Sequence, residues 1–281
     1  GVGKTTLAKE LFNRKSSDYG GSCFLFDVRE AAANCSLNSL QSKLLKGLIQ
    51  MDRQIDSIAE GIEMLRTNLK SFHALVVLDN VDHVDQLDAF LSMKDTLRSD
   101  SLILVTSRDK HVLTSSGIGE SSIYKLTGLN RQHSRELFCS SAFCHPYPLP
   151  GFEYLVDEFL TACGGLPLSL KVFGALLCRE TDKSCWEDQL GRLQQVNLPT
   201  EIQRTLKISY DALNGEEKEI FLDIACFFIG ENKDMALRIW NGSGWKGSLG
   251  LRNLKDKCLV EVDSKNRLRM HDHLRDMGRD L

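Results

Sequence analysis

Apolar residues recur along this chain in two rhythms, and the change from one to the other organises it. In the first half, short, largely apolar runs at residues 23–28, 74–78 and 102–105 read as strands, because such runs bounded by polar residues suit a sheet covered on both faces. Between them, residues 37–50 and 58–69 carry apolar positions at helical spacing. Alternating strands and helices up to about Leu126 predict an α/β, parallel, doubly wound sheet. From Gly128 onward the strand pattern stops, and residues 134–143, 152–163 and 168–177 read as helices. Pro146, Pro148 and Pro150 separate the first two. Gly164 and Gly165 suit a helix C-terminus and Pro167 the first turn of the next helix, where its missing N–H costs nothing. A small helical bundle is expected to follow the sheet.

Past Pro199 the texture changes again. Asn214 with Glu217 forms a capping-box start for a helix whose Ile220, Phe221, Ile224, Ala225, Phe227 and Phe228 are expected to face a core, with Gly230 ending it. A helix at 249–256, an apolar strand at 258–262, a polar turn at 263–266, a strand at 267–270 and a closing helix from Asp272 together predict a winged helix. The expected division is therefore a sheet domain at 1–127, a helical bundle at 128–198 and a winged-helix subdomain at 199–281.

Composition narrows the partners. Hydrophobic residues at 42%, charged residues at 26% and a net charge of -3 describe globular material with no electrostatic pull toward nucleic acid or an anionic membrane. The apolar runs are far too short to span a bilayer. Nine cysteines without a CxxC pair fit reduced thiols, which points to the cytosol or nucleus. The sequons at Asn34 and Asn241 need a secreted context and are read as chance. A winged helix often reads DNA. Here Lys255, Lys257, Arg267, Arg269, Arg275 and Arg279 interleave with Asp256, Glu261, Asp263, Asp272, Asp276 and Asp280, so nucleic-acid binding is not expected.

The chemistry begins at residue 1. Gly3-Lys4-Thr5 supplies the end of a phosphate-binding loop, G-x-x-x-x-G-K-[ST], whose first glycine would fall before Gly1, so the chain is read as a piece of a longer protein. Gly1 to Thr6 lead into Leu7, Ala8, Leu11 and Phe12, spaced as one apolar helix face. Unpaired N–H groups and the positive dipole end at such a helix start suit phosphate. Lys4 is expected to reach the β- and γ-phosphates and Thr5 to hold Mg²⁺. The competing reading is a surface turn before an ordinary helix, so a second site has to support the first. The apolar strand ending in Asp79 does so, as a Walker B strand whose carboxylate would meet Lys4 and Mg²⁺ at the carboxyl edge of the sheet. A third strand ends in Thr106-Ser107-Arg108. Arg108 is either a sensor whose planar fork pairs with a γ-phosphate or a solvated loop arginine beside Asp109.

Taken together, the motifs resemble the NB-ARC region of plant nucleotide-binding, leucine-rich-repeat disease-resistance receptors across essentially the whole chain. In order they are the phosphate loop, Cys23-Phe24-Leu25-Phe26-Asp27-Val28-Arg29-Glu30, Leu78-Asp79-Asn80-Val81-Asp82, Val105-Thr106-Ser107-Arg108, Cys163-Gly164-Gly165-Leu166-Pro167-Leu168, Phe221-Leu222-Asp223-Ile224-Ala225-Cys226-Phe227-Phe228 and Met270-His271-Asp272. Asp82 and the FLDIACFF string look like the subclass that carries an N-terminal TIR domain.

The resemblance implies a P-loop NTPase sheet of the STAND kind. It also implies that Pro167 lines the adenine pocket, that His271 contacts the β-phosphate of ADP, and that Gly1, Gly3, Lys4, Thr5 and Thr6 cradle the phosphates. The implied function is an ADP/ATP switch that opens and self-associates, at most a slow ATPase, between TIR and leucine-rich-repeat domains. One position departs: relatives of the TIR type commonly carry a second Asp where this chain has Asn80, and an amide cannot act as a general base at neutral pH. The rival readings are an active P-loop ATPase or kinase and an ATP-dependent DNA-binding regulator.

Overall fold

The computed structural model describes residues 1–195 and 201–281, so the subdomain boundary expected at 198/199 lies outside the described residues. The chain divides into two compact units, Lys4–Leu126 and a second made of Gly1–Gly3 with Thr127–Leu281.

The first unit runs α1 (Lys4–Lys15), β1 (Gly21–Leu25), α2 (Val28–Asn34), α3 (Leu37–Ile49), α4 (Ile58–Asn68), β2 (Ala74–Val81), α5 (Val84–Leu91), β3 (Leu102–Ser107) and α6 (Lys110–Ser115). Its strands form one parallel sheet in the order β1-β2-β3, with Cys23 opposite Val76 and Val76 opposite Ile103. Each strand is reached by a helical crossover, as parallel pairing requires. The central strand β2 is buried along its whole length, which is why it reads as an unbroken apolar run. Leu44, Leu45, Leu65, Val76, Leu78 and Phe90 anchor the core around it.

The β2–β3 ladder breaks at one point. Leu78 lies opposite Val105 and Val81 opposite Ser107, so Asp79 and Asn80 together face Thr106 alone. Two residues against one make a bulge, a device that re-aims side chains at strand ends. Asn80 adopts φ 57°, the left-handed region that Asn tolerates better than most residues.

The second unit continues with α7 (Arg131–Phe143), α8 (Glu153–Ala162), α9 (Pro167–Leu176), α10 (Lys183–Gln195), α11 (Glu201–Asp211), α12 (Gly215–Asp223), α13 (Lys233–Gly242), α14 (Gly247–Asp256), β4 (Glu261–Val262), β5 (Leu268–Arg269) and α15 (Asp272–Asp280). Trp186 is fully buried against the rings of Phe138, Phe143, Phe152 and Phe159. A further core gathers Phe221, Ile224, Trp240, Leu254 and Leu268 under the hairpin β4–β5. Pro167 stands in the first turn of α9, and Gly164 and Gly165 before it have φ 56° and 72°. The capping box that opens α12 is complete: Asn214 Oδ1 accepts from the Glu217 N–H at 2.9 Å, and Glu217 Oε2 accepts from the Asn214 N–H at 3.1 Å.

Three expectations need correcting. The helix after Asn214 widens into a π turn over Ile224–Phe228, and the changed pitch swings Phe227 out of the core to 74% exposure. Leu7 is 51% exposed: Ala8, Leu11 and Phe12 share one helix face, and Leu7 lies about 100° from Ala8. The apolar strand read at 258–262 pairs only as Glu261–Val262, because the Leu259 and Val260 N–H groups turn back to the Leu254 carbonyl.

Candidate functional site

Gly3 precedes α1 directly and has φ 96°, a conformation L side chains rarely adopt, so glycine is required there. The helix then starts at Lys4, and Thr5 lies in its first turn, where backbone N–H groups have no intrahelical acceptor. The Thr5 hydroxyl donates to both carboxylate oxygens of Asp79, at 2.9 and 3.1 Å. Two residues 74 positions apart are thereby brought into contact.

Asp79 is only 4% exposed, so its carboxylate has to be satisfied by neighbours. Besides Thr5, the Thr106 hydroxyl donates to Asp79 Oδ1 at 2.7 Å. The same Thr106 oxygen accepts the Asn80 N–H at 2.9 Å, replacing the ladder partner that the bulge removes. Asn80 Nδ2 in turn donates to Asp27 Oδ1 at 2.7 Å. Asp27 stands just beyond the end of β1, also in the left-handed region with φ 45°. An ion pair between Arg29 and Asp82, 3.9 Å apart, joins the same two strand ends.

Mg²⁺ takes hard oxygen ligands and needs only one or two from a protein when phosphates supply others. The touching Thr5 hydroxyl and Asp79 carboxylate fit that requirement. Lys4 is partly buried beside them in sequence, Thr6 is exposed on the outer side of the same turn, and Arg108 is exposed immediately after β3. Asp109 caps α6 by accepting the His111 N–H at 2.8 Å, which fixes the chain direction just past Arg108.

The remaining expected site residues belong to the second unit. Gly1 lies so close to α9 and α11 that a Cβ on it would be 3.2 Å from Leu168 Cβ of α9 and 2.5 Å from Ile202 Cδ1 of α11. Gly1 is therefore seated beside Leu168, the residue that follows Pro167. His271 is the N-cap of α15, and its Nδ1 accepts the His273 N–H at 3.2 Å. That bond uses the Nδ1 lone pair, so a neutral ring would carry its proton on Nε2. His273 stacks on it, with ring centroids 5.4 Å apart. Behind it, Arg275 is 1% exposed and pairs with Asp272 at 3.0 Å.

Two residues outside the expected set complete the first unit's site, Thr106 and Asp27. Thr106 carries a weak signal, a hydroxyl at the end of an otherwise apolar strand. Asp27 carries none that isolates it from the motif around it.

Residues 1–147 match the family model of the NB-ARC domain, and residues 214–281 match that of the winged-helix domain of Roq1-like disease resistance proteins. Among curated relatives, the disease resistance protein RUN1 of Vitis rotundifolia is 37% identical over 280 residues, 99% of this chain and 21% of its own length. The TMV resistance protein N of Nicotiana glutinosa is 37% identical over 288 residues, 99% of this chain and 24% of its own. The chain thus spans about a fifth to a quarter of the length of these relatives. A signal transduction ATPase with numerous domains and a tetratricopeptide-repeat sensor, from Pyrococcus horikoshii, superimposes with a TM-score of 0.56 at 16% identity, covering 99% of this chain and 38% of the other, a likeness of fold alone.

Proposed function

The chain belongs to the NB-ARC family, with a winged helix of the Roq1-like disease-resistance type, and on that premise we propose that it is the adenine-nucleotide switch of a plant intracellular immune receptor. The observation that carries the proposal is the Thr5–Asp79 contact at the start of α1, directly after a glycine held at φ 96°. It joins a phosphate-binding helix start to a carboxylate at the sheet edge, the arrangement a nucleotide phosphate with its cation needs. Mg²⁺, when bound, would neutralise charge on the β- and γ-phosphates, with Thr5 and Asp79 as its protein ligands.

The other roles follow from the same reading. Gly1, Gly3, Lys4, Thr5 and Thr6 hold the phosphates, Pro167 lines the adenine pocket, and the Nε2–H of His271 donates to the β-phosphate of ADP. Arg108 pairs with the γ-phosphate and so tells ATP from ADP. A ligand shifts an equilibrium only by its differential affinity for the two states. ADP therefore favours a closed form of the three subdomains at 1–127, 128–198 and 199–281, and ATP an open form that self-associates. The whole receptor would carry TIR and leucine-rich-repeat domains and act in the cytosol or nucleus. No helix among the described residues is long and apolar enough to cross a membrane.

A DNA-reading role for the winged helix is disfavoured by charge pairing, since Arg269 pairs with Asp263, Arg275 with Asp272 and Lys257 with Glu217. The switch reading is tested with protein that carries the complete phosphate loop. Adenine nucleotide should copurify with it and bind more tightly with Mg²⁺, and Asp79→Asn should abolish the Mg²⁺ dependence. A protein that binds no adenine nucleotide refutes the reading. Steady-state turnover above about one per second would instead mark a dedicated ATPase.

A further inference from the structure

Two carboxylates stand at the carboxyl edge of the sheet, and they are held differently. Asp79 accepts hydroxyl hydrogen bonds on both oxygens and sits beside Thr5 on the phosphate-loop side. The next position along β2 carries an amide, Asn80, which is turned toward the end of β1 and donates to Asp27.

Asp27 occupies the N-cap position of α2, where an aspartate ordinarily accepts an N–H of its own helix, yet its side chain makes no such bond. The carboxylate instead meets the Asn80 amide at 2.7 Å. Both partners are held at positive φ, 45° and 57°, a cost that clusters at functional sites. The pair is therefore maintained against local backbone preference, and the aspartate makes no side-chain cap to its own helix. It lies at the strand ends where ligands of such sheets collect.

We propose that Asp27 is the proton acceptor for ATP hydrolysis in this chain and that Asn80 is the residue that positions it. The acid is supplied from the end of β1 and the amide from β2. In the step, the oxygen of a water attacks the γ-phosphorus while the bond from that phosphorus to the β,γ-bridging oxygen breaks, and its electron pair leaves on ADP. The proton lost by the water passes to the Asp27 carboxylate and then to solvent, giving ADP and inorganic phosphate. The proposal rests on the nucleotide-binding reading of the site.

The test uses protein with the complete phosphate loop, a fluorescent ATP analogue to measure affinity, and single-turnover hydrolysis of Mg·ATP. Asp27→Asn is close to isosteric and Asn tolerates the left-handed backbone, so ATP affinity should stay within about threefold while hydrolysis falls by about 100-fold or more, the usual contribution of a general base. The exchange Asp27→Asn with Asn80→Asp rebuilds a carboxylate–amide pair in the opposite sense and should recover hydrolysis to within about tenfold of the parent. A merely structural pair would lose affinity and stability together and show no such split. Hydrolysis by Asp27→Asn within about threefold of the parent overturns the proposal, as does a parent that binds Mg·ATP without hydrolysing it, or an exchange variant that binds ATP and stays inactive. A parent that binds no nucleotide overturns the underlying reading as well, so the two failures are told apart by the affinity measurement.

Discussion

Replacing Thr106 by valine tests the bulge that aims Asp79. Valine nearly matches threonine in shape and suits a strand, so the change removes one hydroxyl and little else. That hydroxyl donates to buried Asp79 at 2.7 Å and accepts the buried Asn80 N–H at 2.9 Å. A hydrogen bond to a charged group contributes about 1.5–3 kcal/mol, and stranding a buried donor costs about 1–3 kcal/mol. The two losses share one atom and do not simply add, so Thr106→Val should destabilise the sheet unit by about 2–4 kcal/mol. With a urea slope of about 2 kcal/mol/M, that lowers the unfolding midpoint of this unit by about 1–2 M. Thr106→Ser keeps the hydroxyl and should lose less than about 1 kcal/mol, chiefly from the missing methyl. The assay is urea unfolding followed by circular dichroism, with Mg²⁺-dependent nucleotide affinity measured in parallel and expected to fall only in the valine variant. A valine variant within about 0.5 kcal/mol of the parent would show that Thr106 does not support the bulge.

Three further outcomes are expected. Burial pushes Glu217 up, but hydrogen bonds from Asn253 and the Asn214 N–H, with Lys257 nearby, outweigh it and hold its carboxyl below the usual range. Its contribution is therefore full above the unfolded value of about 4.3 and is lost as pH falls through the lower folded value, so Glu217→Gln should cost about 1–3 kcal/mol at pH 7 and progressively less in acid unfolding below pH 4. His271→Ala should remove a helix cap and about 1 kcal/mol of stability along with ADP retention, whereas His271→Asn should keep the cap and lose only ADP retention; unchanged ADP dissociation in the Asn variant would end the assigned role. Gly278→Ala would place a Cβ 2.6 Å from Ala225 Cβ and 3.1 Å from Phe221 Cε1, and should lower the stability of the winged-helix core by about 1–3 kcal/mol in thermal unfolding.

The parts of the fold that could be read from the chain are those where a local pattern and its burial agree. β2 is apolar because it is covered on both faces, and the capping box at Asn214 and the proline start of α9 are local signals that tertiary packing leaves intact. The helices α10, α11 and α13 escape because their polar faces dilute the apolar spacing, although each buries residues such as Trp186, Leu206 and Trp240. The outward turn of Phe227 was hidden because a π turn changes the period that the reading assumes to be constant. In the candidate site, strand and loop motifs singled out Thr5 and Asp79, which touch. The Thr106 and Asp27 contacts were not legible, since they depend on a register slip between β2 and β3 and on two left-handed residues that no spacing rule marks.

The widened turn at Ile224–Phe228 also has a structural creditor. Changing from the α to the π pattern releases carbonyl groups from their ordinary acceptor role, and the Ala225 oxygen is taken by Arg279 Nε at 3.1 Å, near the far end of α15. The same Ala225 methyl is the surface on which Gly278 rests. The helix that begins at His271 is thus moored at its tail to an irregularity in a neighbour. Deleting a single residue from 224–228 is expected to restore ordinary winding, withdraw the mooring point and loosen the helix that the histidine caps.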